Sequence, residues 1–147
     1  MAKKKKKRTP YQIAKDKAWE VFSEYIRRKY ANSEGYCTCI TCGKVAYWKA
    51  EGMQAGHAFG GRGNSIIFEE RVVRPQCFRC NMHLSGNPDE YHKWVVKQYG
   101  EDGYYELLRL KNGKDEAGKD LNIKFTEEGL REMIKGWKEE MKGFKCQ

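Results

Sequence analysis

The chain has 147 residues, and its 29 Lys and Arg against 20 Asp and Glu give a net charge of +9. This length suits one domain with its own core, and a hydrophobic content of 39% excludes a disordered chain. No apolar run approaches the ~18–20 residues of a membrane span, and none follows the lysine-rich start as in a secretory signal peptide. We therefore expect a cytoplasmic protein without a membrane partner.

The positive charge is concentrated at the start of the chain. Residues 1–8 contain no acid and carry six of the nine net charges, on Lys3, Lys4, Lys5, Lys6, Lys7 and Arg8. Because a run of like charges repels itself, we predict a disordered tail over residues 1–8. Such tails commonly lie on nucleic acid, although they also serve as solubilising segments or address labels.

A helix and several short strands are predicted for the first half of the chain. Thr9-Pro10 is typical of a helix start, and apolar residues recur at helical spacing to about Tyr30, within an N-terminal helical region over 9–36. The stretch 36–80 is rich in Gly and Cys. It predicts short β segments at Val45–Trp48, Met53–His57, Ile66–Phe68 and Arg71–Arg74.

The second half is predicted to be helical. Asn87-Pro88 begins a helix that should end at Gly100, and a short helix is predicted over Tyr104–Leu110. Thr126 caps a last helix with an apolar stripe formed by Leu130, Met133, Ile134, Trp137 and Met141. We interpret this stripe as core, with a dimer surface as the alternative.

The six cysteines indicate a metal site more than disulfides, because we expect a reducing compartment. Cys39-x-x-Cys42 and Cys77-x-x-Cys80 each place two thiolates on one turn, and together they predict a closed, tetrahedral structural zinc site. Cys37 lies too close to Cys39 for the usual spacing, although it could replace Cys39 as a ligand. We therefore predict that Cys37 and Cys146 are free thiols.

The 34 residues between the two cysteine pairs exceed what a plain zinc ribbon needs. They contain His57 at the end of a predicted strand, and the second pair continues directly into Asn81 and His83. A histidine on a strand, a second strand and a helix bearing Asn form the layout of a ββα-metal site. Neutral imidazole can activate water near pH 7, and the Asn carbonyl is an oxygen ligand for Mg²⁺ or Mn²⁺.

At these motifs the chain resembles the phage NinG (Rap) recombination endonucleases. More distantly, it is similar to the zinc-containing junction-resolving phage nucleases of the HNH (His-Me finger) group. The resemblance covers about residues 39–91. It rests on Cys39-Ile-Thr-Cys42-Gly, Ala55-Gly56-His57, Gln76-Cys77-x-x-Cys80-Asn81-x-His83-x-Ser85-Gly86-Asn87 and Tyr91.

The resemblance implies an α+β fold with a zinc-stabilised ββα-metal (His-Me finger) core over 37–92, flanked by the N-terminal helix and a C-terminal helical region over 93–147. It implies a metal-dependent endonuclease acting on branched DNA of recombination or replication, with His57 as general base and Asn81 as a metal ligand. For a phage-encoded chain the compartment would be the host cytoplasm. Symmetrical resolution of a four-way junction needs two active sites, so we predict a homodimer.

Two departures from the HNH pattern concern the metal and the histidine. Many HNH enzymes place an Asp ligand before the catalytic histidine, where this chain has Gly56, as NinG-like chains also do. The metal is then one ligand short. His83 is our candidate to complete it, and Gln54 is a weaker one. The predicted second strand, Arg71–Arg74, lacks the expected Asn, so the group that orients His57 is not identified.

Several residues have plainer interpretations. His57 could be a surface histidine, His83 could contact a phosphate or form a structural hydrogen bond, and Asn81 could merely cap a helix. Four arginines in the central basic block could bind DNA phosphates or form salt bridges with Glu69 and Glu70 instead: Arg62, Arg71, Arg74 and Arg79. The alternative functions are a non-catalytic zinc module that binds DNA or RNA, and an HNH nuclease for genome packaging or host-DNA degradation.

The charge distribution makes the tail testable. Residues 9–147 carry a net +3, and four thiolates around Zn²⁺ would lower this to roughly +1. We therefore predict that deleting residues 1–8 weakens DNA binding and flattens its salt dependence while leaving cleavage intact. Binding titrations at several salt concentrations measure the slope of log affinity against log salt. An unchanged slope would indicate that the tail only solubilises the protein.

Overall fold

The computed structural model describes residues 7–61 and 63–145, which form three α-helices and two small antiparallel sheets. The predicted α+β class is confirmed. β1 pairs with β2, and β3 pairs with β4. In chain order the elements are α1 (Pro10–Lys29), β1 (Tyr36–Thr38), β2 (Val45–Tyr47), β3 (Met53–His57), β4 (Val73–Cys77), α2 (Pro88–Lys111) and α3 (Glu127–Lys142).

Helix α1 begins where the sequence predicts. The Thr9 hydroxyl accepts a hydrogen bond from the Gln12 backbone N–H, and the Gln12 side chain accepts one from the Thr9 N–H. This capping box satisfies two backbone donors that would otherwise have no partner at the helix start. One face of α1 is buried, through Ala18, Val21, Phe22, Tyr25 and Ile26.

Helix α3 packs against α1 and contributes its apolar stripe to the core. Leu130 and Met141 are buried, and the Trp137 ring centroid lies 4.9 Å from that of Phe22 and 5.3 Å from that of Phe68. Such tilted aromatic contacts add to the free energy gained by burial. The stripe is therefore core within one chain, as the first interpretation has it.

The β3–β4 hairpin also packs against α1. Met53 pairs with Cys77 at one end of the ladder and His57 with Val73 at the other. Ala55 and Val73 belong to the cluster of buried side chains on α1. The hairpin therefore fixes the zinc-ligand candidate Cys77 and the candidate base His57 at opposite ends of one rigid unit.

Two predicted strands between the cysteine pairs differ from the structure. Residues 66–68, predicted as a strand, form a turn in which Ile66 and Ile67 are buried, so the apolar run reflects burial and not extended backbone. The strand predicted at Arg71–Arg74 starts two residues later, after a 3₁₀ turn over Glu70–Val72, and continues through Pro75. A two-stranded sheet has only edge strands, so it tolerates the missing N–H of proline.

The helices after the second cysteine pair follow the sequence prediction with one change. Gly100 has φ 73° and ψ 174°, which interrupts α2 as predicted. The helical path resumes at once and continues to Lys111, so the helix predicted at Tyr104–Leu110 begins earlier than expected. At α3 the Thr126 hydroxyl accepts a hydrogen bond from the Gly129 N–H at 3.0 Å, which confirms the predicted cap.

The basic tail is described only in its last two residues. Lys7 and Arg8 are exposed, and Arg8 forms a 2.9 Å ion pair with Asp16 of α1. Lys3–Lys6 lie outside the described residues, so the prediction of disorder over 1–8 stays a prediction. Across 7–61 and 63–145, no helix combines the length and apolar character needed to cross a bilayer.

The burial of the α3 stripe predicts a specific stability loss. Leu130 is 0% exposed, so Leu130→Ala should lower the free energy of unfolding by about 2–5 kcal/mol, measured by urea denaturation. Ile13→Ala is the matched control, because Ile13 on α1 is 56% exposed and should change stability by only about 0.5 kcal/mol. A stable Leu130→Ala variant with altered oligomeric mass would instead make the stripe a subunit surface.

Candidate functional site

The four predicted zinc ligands meet at one point. Cys39 and Cys42 lie in the turn after β1, Cys77 ends β4, and Cys80 follows in a short π-helical turn over Arg79–His83. Their Sγ atoms all lie within 4.8 Å of one another, and the Cys42 and Cys77 Sγ atoms are 3.7 Å apart. Zinc–sulfur bonds of about 2.3 Å in a tetrahedron put sulfur atoms about 3.8 Å apart. The residues present therefore fit a structural zinc ion.

The surroundings of Cys39 favour its thiolate, the form that binds zinc, whereas burial raises the pKa of Cys42 to about 12 and also raises the pKa of Cys77. Burial opposes ionisation of Cys39. The Thr41 hydroxyl 3.4 Å away and nearby backbone N–H groups outweigh burial and lower the pKa of Cys39 to about 6. Asn87 Nδ2 donates a 3.6 Å hydrogen bond to Cys80 Sγ. Asn87 precedes α2 as predicted, but its side chain stabilises this sulfur and does not cap the helix.

Of the two cysteines predicted to be free thiols, the structure describes Cys37, which does not belong to the cluster. Cys37 is buried between the two hairpins, and its Sγ lies 3.6 Å from the Ala46 carbonyl oxygen. The grouped ligands include Cys39 and not Cys37, so the alternative in which Cys37 replaces Cys39 is not supported. Cys146 lies outside the described residues.

Gln76 connects the cysteine cluster to the next part of the site. It is completely buried, and its Nε2 donates to the Thr41 hydroxyl at 3.1 Å and to the Gly86 carbonyl at 2.7 Å. Because Thr41 accepts from Gln76, its own O–H is available to donate to the Cys39 thiolate. A continuous set of hydrogen bonds thus joins the cluster to the loop that precedes α2.

That loop forms one wall of a cavity of about 220 Å³ that contains both His57 and Asn81. His57 Nε2 lies 3.0 Å from the Ile67 carbonyl oxygen. Because a carbonyl can only accept, Nε2 carries the proton, and in neutral His57 the lone pair is on Nδ1. The Trp19 ring of α1 stacks on the imidazole with centroids 4.9 Å apart. His57 is therefore held by a backbone carbonyl and an aromatic ring.

Asn81 is held by a neighbour on β3. Its Nδ2 donates to Gln54 Oε1 at 2.7 Å. Within the part of the chain that the structure describes, Asn81 Oδ1 accepts no hydrogen bond, which leaves this oxygen available to a ligand. Ser85, which lines the cavity, has φ 51°, and Asn87 in the same loop has φ 48°, a left-handed conformation that is costly for most residues other than Gly. Strained backbone of this kind is common at functional sites.

The structure explains why glycine precedes His57. A Cβ on Gly56 would overlap Gln76 Oε1 and come within 2.9 Å of Gln76 Cβ, so an Asp does not fit here. The Gly56 carbonyl accepts a 2.9 Å hydrogen bond from the buried Tyr91 hydroxyl. Burial raises the pKa of Tyr91, which keeps this donor protonated. Residue 56 therefore packs the hairpin closely against Gln76 and α2.

The cavity does not by itself form a magnesium site. Among its described lining residues, Asn81 supplies an amide oxygen and none carries a carboxylate. Mg²⁺ in proteins usually takes one or two carboxylates together with substrate phosphates. His83 is exposed and lies edge-on to the Phe78 ring, with centroids 5.1 Å apart, outside the residues that line the cavity. The structure therefore does not bring His83 to His57 and Asn81.

The predicted DNA-binding arginines lie in different settings. Arg71 pairs with Glu69 at 3.0 Å and with Glu106 at 2.8 Å. Arg74 donates to the Glu70 carbonyl, and its guanidinium carbon lies 4.1 Å from the Tyr30 ring centroid and 5.0 Å from that of Trp94. Both side chains are thus engaged within the fold. Arg79 is exposed beside Cys80, and Arg62 lies outside the described residues.

Sequence reasoning missed the two groups that hold His57. A backbone carbonyl such as that of Ile67 has no residue-type pattern, so no sequence feature could have identified it. Trp19 lies on α1 between the buried positions Ala18 and Phe22, and it could have been noted as a large aromatic at the edge of the apolar stripe. Its contact with a strand residue 38 positions later depends on tertiary packing.

The cysteine cluster predicts zinc content directly. We expect about one tightly bound zinc per chain by atomic emission, because four thiolates close the tetrahedron. Cys77→Ser should lose the metal and much of the stability, since it removes one of four ligands. Cys37→Ser is the matched control and should keep the zinc. Wild-type protein without zinc, or equal zinc loss in both variants, would contradict the assignment.

Comparison with known proteins identifies the family. The family model described as "NinG: Bacteriophage Lambda NinG protein" matches residues 1–146. Two curated relatives, each named "Protein ninG", come from Escherichia phage 933W and Enterobacteria phage VT2-Sa. Each is 31% identical over 71 residues, which covers 47% of this chain and 33% of the relative's length. No solved structure gives a significant match. Because the family model spans nearly the whole sequence, the chain belongs to the bacteriophage Lambda NinG family.

Proposed function

We propose that this NinG-family chain is a DNA endonuclease that hydrolyses phosphodiester bonds at an HNH-type (His-Me finger) site. The main support is the position of His57. It ends β3, it is oriented by the Ile67 carbonyl, and it shares a cavity with Asn81. The order of hairpin, cysteine-held turn and α2 agrees with the ββα layout that the sequence resembles.

In this proposal His57 Nδ1 accepts a proton from the attacking water. The Ile67 carbonyl favours the tautomer that this role requires, and it would stabilise the imidazolium that forms. The zinc cluster acts at a distance, by holding the turn that carries Asn81 against β3. Because the cavity's own donors do not make a complete site for Mg²⁺ or Mn²⁺, we assign no step to such an ion, and metal dependence is measured below.

Branched DNA of recombination or replication is the proposed substrate. Membership of a phage family supports this context, although the matched segment covers only a third of each curated relative. The proposed homodimer would supply two active sites to one junction. Since the α3 stripe packs on α1, its dimer surface would lie elsewhere. The proposed place of action is the host cytoplasm.

A second candidate function is a zinc module that binds DNA or RNA without cutting it. The lack of a carboxylate among the described residues of the His57 cavity favours this alternative, because a hydrolytic metal site usually includes one. Cleavage assays separate the two functions directly.

The decisive experiment compares wild type with His57→Ala on linear, forked and four-way DNA. Each substrate is incubated with Mg²⁺, with Mn²⁺ and with a chelator. Loss of the general base should reduce cleavage by about 10²–10⁴-fold without weakening binding. His92→Ala is the matched control, because His92 is exposed and stacks on Tyr104 of α2, with centroids 4.1 Å apart.

The same assay tests the predicted role of His83. Since His83 lies outside the cavity lining, we expect His83→Ala to retain most of the cleavage. A loss that excess metal restores would make His83 a metal ligand after all. Cleavage that survives in His57→Ala would remove His57 as the base. Binding without cleavage by wild type under every metal condition would favour the non-catalytic zinc module.

A further inference from the structure

A second cavity adjoins the first on the other side of Asn81. Its volume is about 280 Å³, and it lies between α1 and the start of β3. The two cavities share Ala55, Asn81 and Met82 in their linings. The rest of the second lining comprises Trp19, Ser23, Arg27, Met53 and Gln54. The His57 site is thus one part of a longer cleft.

Arg27 is the charged residue of this second cavity. It is half-buried, its Nε donates to the Ser23 carbonyl at 3.1 Å, and its Nη1 donates to the Trp48 carbonyl at 2.9 Å. Arg27 forms no ion pair within residues 7–61 and 63–145. Its Nη2, which carries two N–H groups, donates to none of these residues. The side chain is held in place, part of its donor capacity is unused, and no described carboxylate pairs with it, although its guanidinium carbon lies 5.8 Å from the Trp48 ring centroid.

The lining has the electrostatic character of an anion site. Among the described residues, neither cavity wall includes an Asp or Glu. Burial lowers the pKa of Arg27, which shows that the charge is partly desolvated, although Glu24 nearby offsets some of this effect. A partly desolvated guanidinium gains more from an anion than an exposed one does. Ser23 and Gln54 provide additional polar groups.

We propose that the second cavity binds a backbone phosphate of the nucleic acid, with Arg27 as its ligand, next to the phosphate placed at His57. The inference rests on the proposed nuclease function, and it identifies Arg27 as the residue that positions the nucleic-acid strand along the cleft. Arg27 contacts a phosphate and no base, so it contributes affinity and register but no sequence preference. The Ser23 and Trp48 carbonyls hold the guanidinium in place, so Nη2 presents its two N–H groups to phosphate oxygens in a fixed geometry that a flexible lysine cannot reproduce.

The first test measures DNA binding in a His57→Ala background, which prevents cleavage. Arg27→Gln should weaken binding of a four-way junction about tenfold and reduce the salt slope by about 1. Lys17→Gln is the matched control. It removes the same charge from α1 at an exposed position paired with Glu20, and it should leave the slope unchanged. Arg27→Lys keeps the positive charge, so its salt slope should equal that of the Arg27 protein, but it should recover only part of the affinity lost in Arg27→Gln.

A second test uses wild-type protein, so it does not depend on a variant that folds. The Nε–H signal of Arg27 is followed by ¹H–¹⁵N NMR while inorganic phosphate is added, and we expect a saturable shift. The Nε–H signal of Arg71, which is paired with Glu69 and Glu106, serves as the internal control.

The outcomes separate this inference from the nuclease proposal. If wild type cuts DNA while folded Arg27→Gln keeps the same affinity and salt slope, the phosphate site is wrong and the nuclease stands. If wild type neither cuts nor binds DNA but phosphate still shifts Arg27, the anion site stands and the nuclease proposal fails. An unresponsive Arg27 signal together with an unchanged slope overturns the inference, and Arg27 then only links α1 to Trp48.

Discussion

The convergence of four cysteine sulfurs is the constraint on which the rest of the site depends. It joins the turn after β1 to the end of β4, two segments that lie far apart in the sequence. Three of the four side chains are no more than 2% exposed, and four closely spaced thiolates would repel one another without a cation. A zinc ion held by this cluster would supply folding free energy for the central region, where the two small hairpins would be only marginally stable alone.

The same constraint positions the cavity through the side chains around the cluster. The Gln76 side chain donates hydrogen bonds to the Thr41 hydroxyl and to the Gly86 carbonyl. It also occupies the space where a side chain at residue 56 would lie. Tyr91 fixes the Gly56 carbonyl from α2. The hairpin that ends in His57 is thus held from the cysteine cluster and from α2. The absence of a side chain before His57 follows from this packing.

The cleft on both sides of Asn81 contains the two groups on which the proposed function depends. One side holds an imidazole with a defined tautomer, and the other holds an arginine without a carboxylate partner among the described residues. A phosphodiester backbone is the ligand class that complements both. Two of the four arginines first considered for DNA, Arg71 and Arg74, are largely engaged in ion pairs and aromatic contacts. In the proposed function, Arg27 adds positive charge for the substrate from α1, a helix that the motif resemblance did not cover.

The sequence by itself determined the features that are encoded locally. The caps at Thr9 and Thr126, the break at Gly100 and the two cysteine pairs depend on neighbouring residues, so each could be read from a few consecutive positions. The strand predicted at 66–68 was wrong, because a short apolar run is typical of a buried turn as well as of a buried strand. Only the tertiary structure decided that the Ile67 carbonyl orients His57 and that Arg27 shares a cleft with Asn81. These relations join segments far apart in the chain, and one of them uses a backbone atom, so no pattern of residue types records them.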